Sequence, residues 1–329
     1  MCYLSLKLNK LYIQSLEKSG LFLCKIVNRF QKHKIKVMTH KIAIQGIESS
    51  FHHLAATKLF NSEQLELLMC DSFDAVATSL NNFNADYGVL AIENTIAGSI
   101  LPNYNLIDSA DLEILDEVYL NIQMHLIALE DESIHDIKEV HSHPVALLQC
   151  KDYLRKFPPQ FKVVEGKDTA SEAKRIKEQN LKGVAAIAGE QVAEEFGLKI
   201  LDSNIQSMKD NKTRFVLVGR KNSDSVVDVN KATIKFELNH EVGSLSSVLQ
   251  LLGTFGINLT KIQSLPVLGS PWQYAFFIDV VFDSYTMFCD VSIMLEKIVK
   301  QFKVLGVYRD NKNNLKSDFI KTLNTQMSN

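Results

Sequence analysis

The sequence predicts an α/β protein, a larger two-lobed body followed by a smaller C-terminal unit, and three observations carry that reading. Between Lys41 and Arg220 short apolar strands alternate with helical runs, the pattern of a layered α/β architecture with parallel strands. After the polar stretch Lys221-Asn222-Ser223-Asp224-Ser225 the order becomes strand, helix, strand, strand, helix, strand, a ferredoxin-like split βαβ unit. A chain of 329 residues also exceeds one ordinary core.

Lys41 to Ile44 reads as the first strand, followed by a polar turn at Gly46-Ile47-Glu48-Ser49-Ser50 and a helix from His52 to Phe60. Ser72 opens a helix through Leu80, and Tyr87 to Ile92 is a buried strand ending at Glu93-Asn94. In open sheets ligands bind at the carboxyl ends of strands, where the Gly46 turn and Glu93-Asn94 fall. A second block follows, with Val118 to Ala128 as a strand and Val140 to His143 as a strand entering a helix at Pro144. Asp168 N-caps the next helix. Gly183 to Ala188 is a buried strand, and the helix after it stops at Gly197, a residue suited to a left-handed C-terminal position. The chain then reaches Asn211-Lys212-Thr213-Arg214-Phe215, so that two lobes enclose a cleft. Beyond Lys221, strands at Ala232 to Leu238, Leu259 to Val267, Gln273 to Phe282 and Val304 to Tyr308 are interleaved with helices at Ser244 to Phe255 and Tyr285 to Val299. The polar tail after Arg309 is expected to fray.

A net charge of −2 supplies no basic footprint for nucleic acid. The five cysteines are odd in number and never spaced C-x-x-C, which argues against a disulfide framework and a structural zinc site. No apolar run reaches the roughly 18 residues of a membrane span, and the cytoplasm is the natural compartment. The N-terminal stretch stands apart, with eight basic side chains between Lys7 and Lys36 against the single acid Glu17. Lysines interrupt its apolar stretches, unlike a secretory signal, and an organellar presequence carries more Arg and Ser. The sequence favours a start near Met38, with an N-terminal amphipathic helix as the alternative.

Five polar clusters recur in order. Gly46 to Ala56 places hydroxyls, Ser50 among them, at a helix N-terminus, which favours an anion. Glu93-Asn94-Thr95 offers a carboxyl, an amide and a hydroxyl on one loop; His143 and Gln149 flank a helix start; Thr169 follows the Asp168 cap. Thr213-Arg214-Phe215 sets a hydroxyl beside a permanent cation, a pair able to hold a carboxylate and donate to a leaving oxygen.

These segments together resemble the prephenate dehydratase family from about Lys41 to Arg220, with an ACT domain after it. The resemblance implies a two-lobed fold like that of type 2 periplasmic binding proteins. It also implies a carbon-oxygen lyase (hydro-lyase) that converts prephenate to phenylpyruvate, carbon dioxide and water in L-phenylalanine biosynthesis. No cofactor or metal is implied, and the chain is expected to form a homodimer or homotetramer. Domain boundaries follow: an extension at 1–39, a catalytic domain at 40–220, a linker at 221–231, the ACT domain at 232–310 and a tail at 311–329. Departures occur at Ile47, Ser49 and His52 in the first motif. In the ACT domain the family's Gly-Ala-Leu is Gly243-Ser244-Leu245 and its Glu-Ser-Arg-Pro is Gln263-Ser264-Leu265-Pro266. Gly243, Ser244, Leu245, Asn258, Gln263 and Ser264 are the expected regulatory positions, and L-phenylalanine as effector stays open.

Losing carboxylate and hydroxyl together aromatises the prephenate ring, so hydroxide departure is the step needing help. Thr213 is expected to donate to the leaving oxygen or relay a proton from Glu93 or His143. Arg214 is expected to hold the pyruvyl carboxylate, which persists into product, because a cation on the departing carboxylate would oppose its loss. Phe215 keeps the site dry, and Asn94, Thr95, Ser50, Gln149 and Thr169 complete the substrate contacts. Competing readings are a solute-binding protein with the same cleft and an arogenate dehydratase. Metal ligation by His141 and His143 lacks a third ligand, and Cys150 reads as a buried thiol.

Overall fold

A computed structural model describes residues 39–60, 65–221, 228–239, 241–267, 269–270 and 273–312. The basic N-terminal stretch with the expected start near Met38, most of the linker, and the tail from 313 lie outside them.

The first lobe comprises β1 (His40–Gln45), α1 (Phe51–Leu59), β2 (Leu65–Cys70), α2 (Phe73–Asn81), β3 (Tyr87–Asn94), β4 (Gly98–Ser99), α3 (Leu101–Ser109) and β5 (Leu112–Asn121). The second lobe follows with β6 (His125–Ala128), β7 (Glu139–Ser142), α4 (Pro144–Gln149), α5 (Lys151–Leu154), β8 (Lys162–Glu165), α6 (Thr169–Glu178), β9 (Val184–Ala188), α7 (Glu190–Phe196) and β10 (Lys199–Asp202). β11 (Lys212–Arg220) then returns to the first lobe, whose sheet order is β2-β1-β3-β11-β5 with β4 paired to β3. The second sheet runs β10-β6-β9-β7-β8.

Neither sheet is wholly parallel, which corrects the parallel expectation. β1 runs parallel to β2 and β3, but β11 is antiparallel to both β3 and β5. β11 enters from the far lobe and so runs against its neighbours. The single strand expected over Val118 to Ala128 is likewise two, β5 and β6, one in each lobe. The crossings between lobes pair with each other, Ile122 N donating to Asn211 O at 2.7 Å and Ile205 N to Met124 O at 2.9 Å. Asn211 and Thr213 therefore sit at the hinge itself.

Helix starts are fixed by short polar side chains. Ser50, Ser72 and Asp168 cap α1, α2 and α6 by accepting from the N–H groups of His53, Ala75 and Ser171. The His143 ring does the same for α4, accepting from Val145 N at 3.2 Å.

The C-terminal unit contains β12 (Lys231–Glu237), α8 (Ser244–Thr254), β13 (Asn258–Pro266), β14 (Tyr274–Val281), α9 (Tyr285–Ile298) and β15 (Gln301–Tyr308). Its antiparallel sheet, β13-β14-β12-β15, has the expected βαββαβ order. One face packs on α8 and α9 through Phe236, Val248, Ile278 and Val291. The other face does not stand free: Phe277, Leu305 and Tyr308 share a core with Tyr104, Leu112, Ile114 and Val216 of the first lobe. The approach requires glycine at position 306, where a Cβ would lie 2.1 Å from the Ile114 carbonyl oxygen. Asp108 adds ion pairs to Lys235 and Lys303, each at 2.7 Å. The tail is anchored further than expected, since Asn311 is 3 % exposed and donates from Nδ2 to Asp116 Oδ1 at 2.6 Å. No described helix is long and apolar enough to cross a membrane.

Candidate active site

A cavity of about 500 Å³ opens between the lobes, at the carboxyl ends of β1 and β3. Four helices begin at its wall: α1 at Ser50, α2 at Ser72, α4 at His143 and α6 at Asp168. First-turn N–H groups have no partner within their own helix, and the dipoles add positive potential. Among the described residues lining the cavity there is no lysine or arginine. The groups there able to meet an anion are backbone N–H groups and uncharged side chains, with the carboxyl side chains of Asp74 and Asp168 in the same wall. At the rim Lys167 of the second lobe meets Asp71 of the first at 2.5 Å, an exposed contact joining the two lips.

Three buried amides meet at the hinge in a closed ring. Asn94 Nδ2 donates to Asn211 Oδ1 (2.7 Å), Asn211 Nδ2 to Gln149 Oε1 (3.0 Å), and Gln149 Nε2 back to Asn94 Oδ1 (3.2 Å). Each amide comes from a different place: the end of β3, the crossing before β11 and the end of α4. The ring thus ties both lobes to the hinge. Asn94 Oδ1 also accepts from the backbone N–H groups of Ile96 and Ala97 at 2.9 and 2.8 Å, which fixes the amide's orientation. Its Nδ2 then has to donate to Thr213 Oγ1, 2.9 Å away. Thr213 Oγ1 is the acceptor in this contact.

The floor is aromatic. His52 packs edge-on against Phe215 with ring centroids 5.1 Å apart, and against Phe73 at 5.4 Å. Burial lowers the His52 pKa to about 4, and its Nε2 finds no hydrogen-bond partner among the described residues. It is a neutral wall. Burial also lowers the His143 pKa, against an opposing pull from Asp168 and Glu165. Because its Nδ1 accepts from Val145, the neutral ring carries its proton on Nε2.

Of the expected catalytic and substrate residues, Thr213, His143, Phe215, Asn94, Ser50, Gln149 and Thr169 line this cavity. Arg214, Glu93 and Thr95 do not, and their expected placement is corrected. Side chains alternate along a strand, so Thr213 and Phe215 face the cavity while Arg214 faces the opposite side. There Arg214 is 3 % exposed and its Nε donates to Glu117 Oε2 at 2.7 Å. Glu93 pairs in register with Arg214 and lies 3.1 Å from Lys261 Nζ, so it cannot relay a proton to Thr213. Thr95 is spent on backbone, accepting from Lys212 N at 2.9 Å and donating to Asp210 O at 3.1 Å. These three line a second, polar cavity of about 290 Å³ against the C-terminal unit.

Sequence reasoning missed Asn211, His52 and Phe73 as parts of the site. Asn211 had a signal, since it lies two residues before Thr213. The imidazoles of His141 and His143 diverge, with His141 Nδ1 2.9 Å from Arg175 Nη2. Burial pushes the Cys150 thiol up to about 12, too high for a nucleophile.

Residues 42–223 match the family model for prephenate dehydratase. This chain belongs to the prephenate dehydratase family. A bifunctional chorismate mutase/prephenate dehydratase from Buchnera aphidicola subsp. Acyrthosiphon pisum (strain APS) is 32% identical over 292 residues, covering 88% of this chain and 75% of that protein. The solved prephenate dehydratase from Staphylococcus aureus subsp. aureus Mu50 superposes with a TM-score of 0.70 at 25% identity, covering 82% of this chain and 100% of that one. The quorum quenching acylase GqqA has a TM-score of 0.72 at 27% identity, covering 82% and 97% respectively.

The domain after the prephenate dehydratase match is ACT-like. Gly243, in a left-handed conformation (φ 88°), leads into α8 through Ser244, and Leu245 packs against the domain core. Asn258, Gln263 and Ser264 lie on β13, an edge strand with alternating exposure. None of the six expected regulatory residues lines either cavity described above.

Proposed function

We propose that prephenate binds in the cavity between the lobes and that Thr213 donates a hydrogen bond to the hydroxyl that leaves its ring. The reaction is the conversion of prephenate to phenylpyruvate with loss of carbon dioxide and water. The bond from the quaternary carbon to the carboxylate breaks, its electron pair enters the ring, and the carbon-oxygen bond across the ring breaks as the departing hydroxide takes up one proton. Aromatisation supplies the driving force. What a protein adds is placement and a donor aimed at the developing negative charge.

The observation that carries this reading is the hydrogen bond from Asn94 into Thr213 Oγ1. An acceptor already engaged from behind points its own proton forward. The pyruvyl carboxylate is assigned to the helix starts at Ser50 and Thr169 in place of Arg214, and His143 offers a neutral Nε2–H donor. The ring carboxylate is assigned to the apolar wall of Phe215, Ile100 and Met124, where a fixed cation would oppose its loss.

The likeness to an acylase is weighed by the same contact. A hydroxyl nucleophile needs an adjacent base, and Asn94 meets Thr213 as a donor. Arogenate carries an ammonium group in place of the pyruvyl ketone, and Asp74 in the cavity wall supplies a carboxylate to meet it. An L-phenylalanine effector at the ACT-like domain and a homo-oligomeric assembly are part of the same proposal. The test is product formation from prephenate, with arogenate and an acylase assay in parallel. Phenylpyruvate at wild-type turnover from a Thr213→Val variant would refute the assignment.

A further inference from the structure

Arg214 stands between two cavity-facing residues, yet its side chain acts on the far side of the sheet. One carboxylate of the first lobe and two residues of the ACT-like sheet hold it. Its Nε donates to Glu117 Oε2 at 2.7 Å, its Nη1 to Asp279 Oδ2, and its Nη2 to the Tyr308 hydroxyl at 2.8 Å. Lys231 Nζ completes Glu117 from 2.8 Å. Thr233 Oγ1 donates to Asp279 Oδ1 at 2.6 Å, which leaves the Tyr308 hydroxyl to donate to Thr233. Arg214, Lys231, Glu117 and Asp279 are all buried, and Lys231 also reaches the partly exposed Asp310 at 3.1 Å. Burial alone would lower the Arg214 pKa and raise that of Asp279, but the opposite charges outweigh it, so both stay ionised.

We propose that Arg214 is a positioning residue through which Asp279 and Tyr308 of the ACT-like domain set the place of the Thr213 hydroxyl. A guanidinium presents donors in a fixed plane, and here they are taken by partners on β5, β14 and β15. The backbone carrying it cannot shift without stranding a buried charge. A register shift between Arg214 and Phe215 marks a bulge against β3, while the pairing with β5 stays in register from Lys212 to Leu217, so on the β3 side the ladder holds this part of β11 less firmly. The next residue back is Thr213. In this arrangement the ACT-like sheet is a structural part of the catalytic site, and any displacement of that sheet is felt at the reacting hydroxyl.

The proposal rests on the assignment of Thr213 above, and a double-mutant cycle separates the two. The full chain carries Asp279→Asn or Tyr308→Phe, each alone and combined with Thr213→Val, and steady-state kinetics are measured with prephenate. Each single variant is expected to lower kcat about tenfold while KM changes less than about twofold. In the Thr213→Val background the same changes are expected to lower kcat by less than about twofold, because the group they position is gone. Equal fold-losses in both backgrounds would overturn the proposal, as would wild-type kcat in both single variants. Wild-type kcat in Thr213→Val alone would instead overturn the assignment of Thr213. Tyr308→Phe removes only a hydroxyl, so it carries the test if Asp279→Asn does not fold.

Discussion

Asn94 donates to Thr213 and not the reverse: Nδ2 lies 2.9 Å from Oγ1, while Asn94 Oδ1 is occupied by the N–H groups of Ile96 and Ala97. Replacing this donor with an isosteric acceptor reverses the polarity of the contact. Asn94→Asp is therefore expected to draw the Thr213 proton away from the cavity and to lower kcat by about 10²-fold or more. Phenylpyruvate formation from prephenate checks it, and a kcat within about threefold of wild type would contradict the polarity argument.

Asn211 touches both other amides of the ring and lies at the crossing between lobes. Asn211→Ala leaves a buried acceptor on Gln149 unpaired and leaves Asn94 Nδ2 the longer contact to the Lys212 carbonyl at 3.3 Å in place of Asn211. The expected cost is about 1 to 3 kcal/mol of stability, together with a fall in kcat of roughly tenfold as Asn94 loses its bracing. Urea unfolding and steady-state kinetics on the same preparation measure the two effects.

Gly306 marks how tightly the ACT-like sheet docks. An added methyl would meet the Ile114 carbonyl at 2.1 Å, so Gly306→Ala has to push β15 away from β5. The expected loss is about 1 to 3 kcal/mol of unfolding free energy. A urea midpoint unchanged from wild type would show that the two sheets are not in this contact in solution.

The pH dependence of stability should carry a His52 component. Burial depresses its folded pKa to about 4 from an ordinary 6.5, so the unfolded chain binds the extra proton between those values. The contribution is present in full above pH 6.5, falls as the pH drops, and is lost below about 4. Its size is on the order of 3 kcal/mol. His52→Phe keeps the aromatic packing and removes the titration, so its urea midpoint should fall less than that of the wild type between pH 6.5 and 4.5. Identical slopes would contradict a buried neutral imidazole.

Much of this was legible in the sequence for local reasons. The caps at Ser72 and Asp168, the left-handed Gly197 and the βαββαβ order are written in neighbouring residues, and the structure has each. Thr213 and Phe215 are legible because the Thr213-Arg214-Phe215 segment sets a hydroxyl beside a permanent cation and stands last in an ordered set of five polar clusters. Period-two alternation puts Arg214 on the other face, but a buried guanidinium there makes sense only once Asp279 and Tyr308, 65 and 94 residues later, are in place. Glu93 was misplaced for the same reason, its partner Lys261 lying on β13. The antiparallel course of β11 and the split of Val118 to Ala128 into two strands depend on the chain crossing between lobes. No local pattern records that crossing.

The most direct measurement is kcat of Thr213→Val with prephenate. Valine matches the shape of threonine and deletes only the hydroxyl, so the strand and the amide ring remain. kcat is expected to fall about 10²-fold or more, with KM changed by less than about threefold. Turnover close to wild type would contradict it.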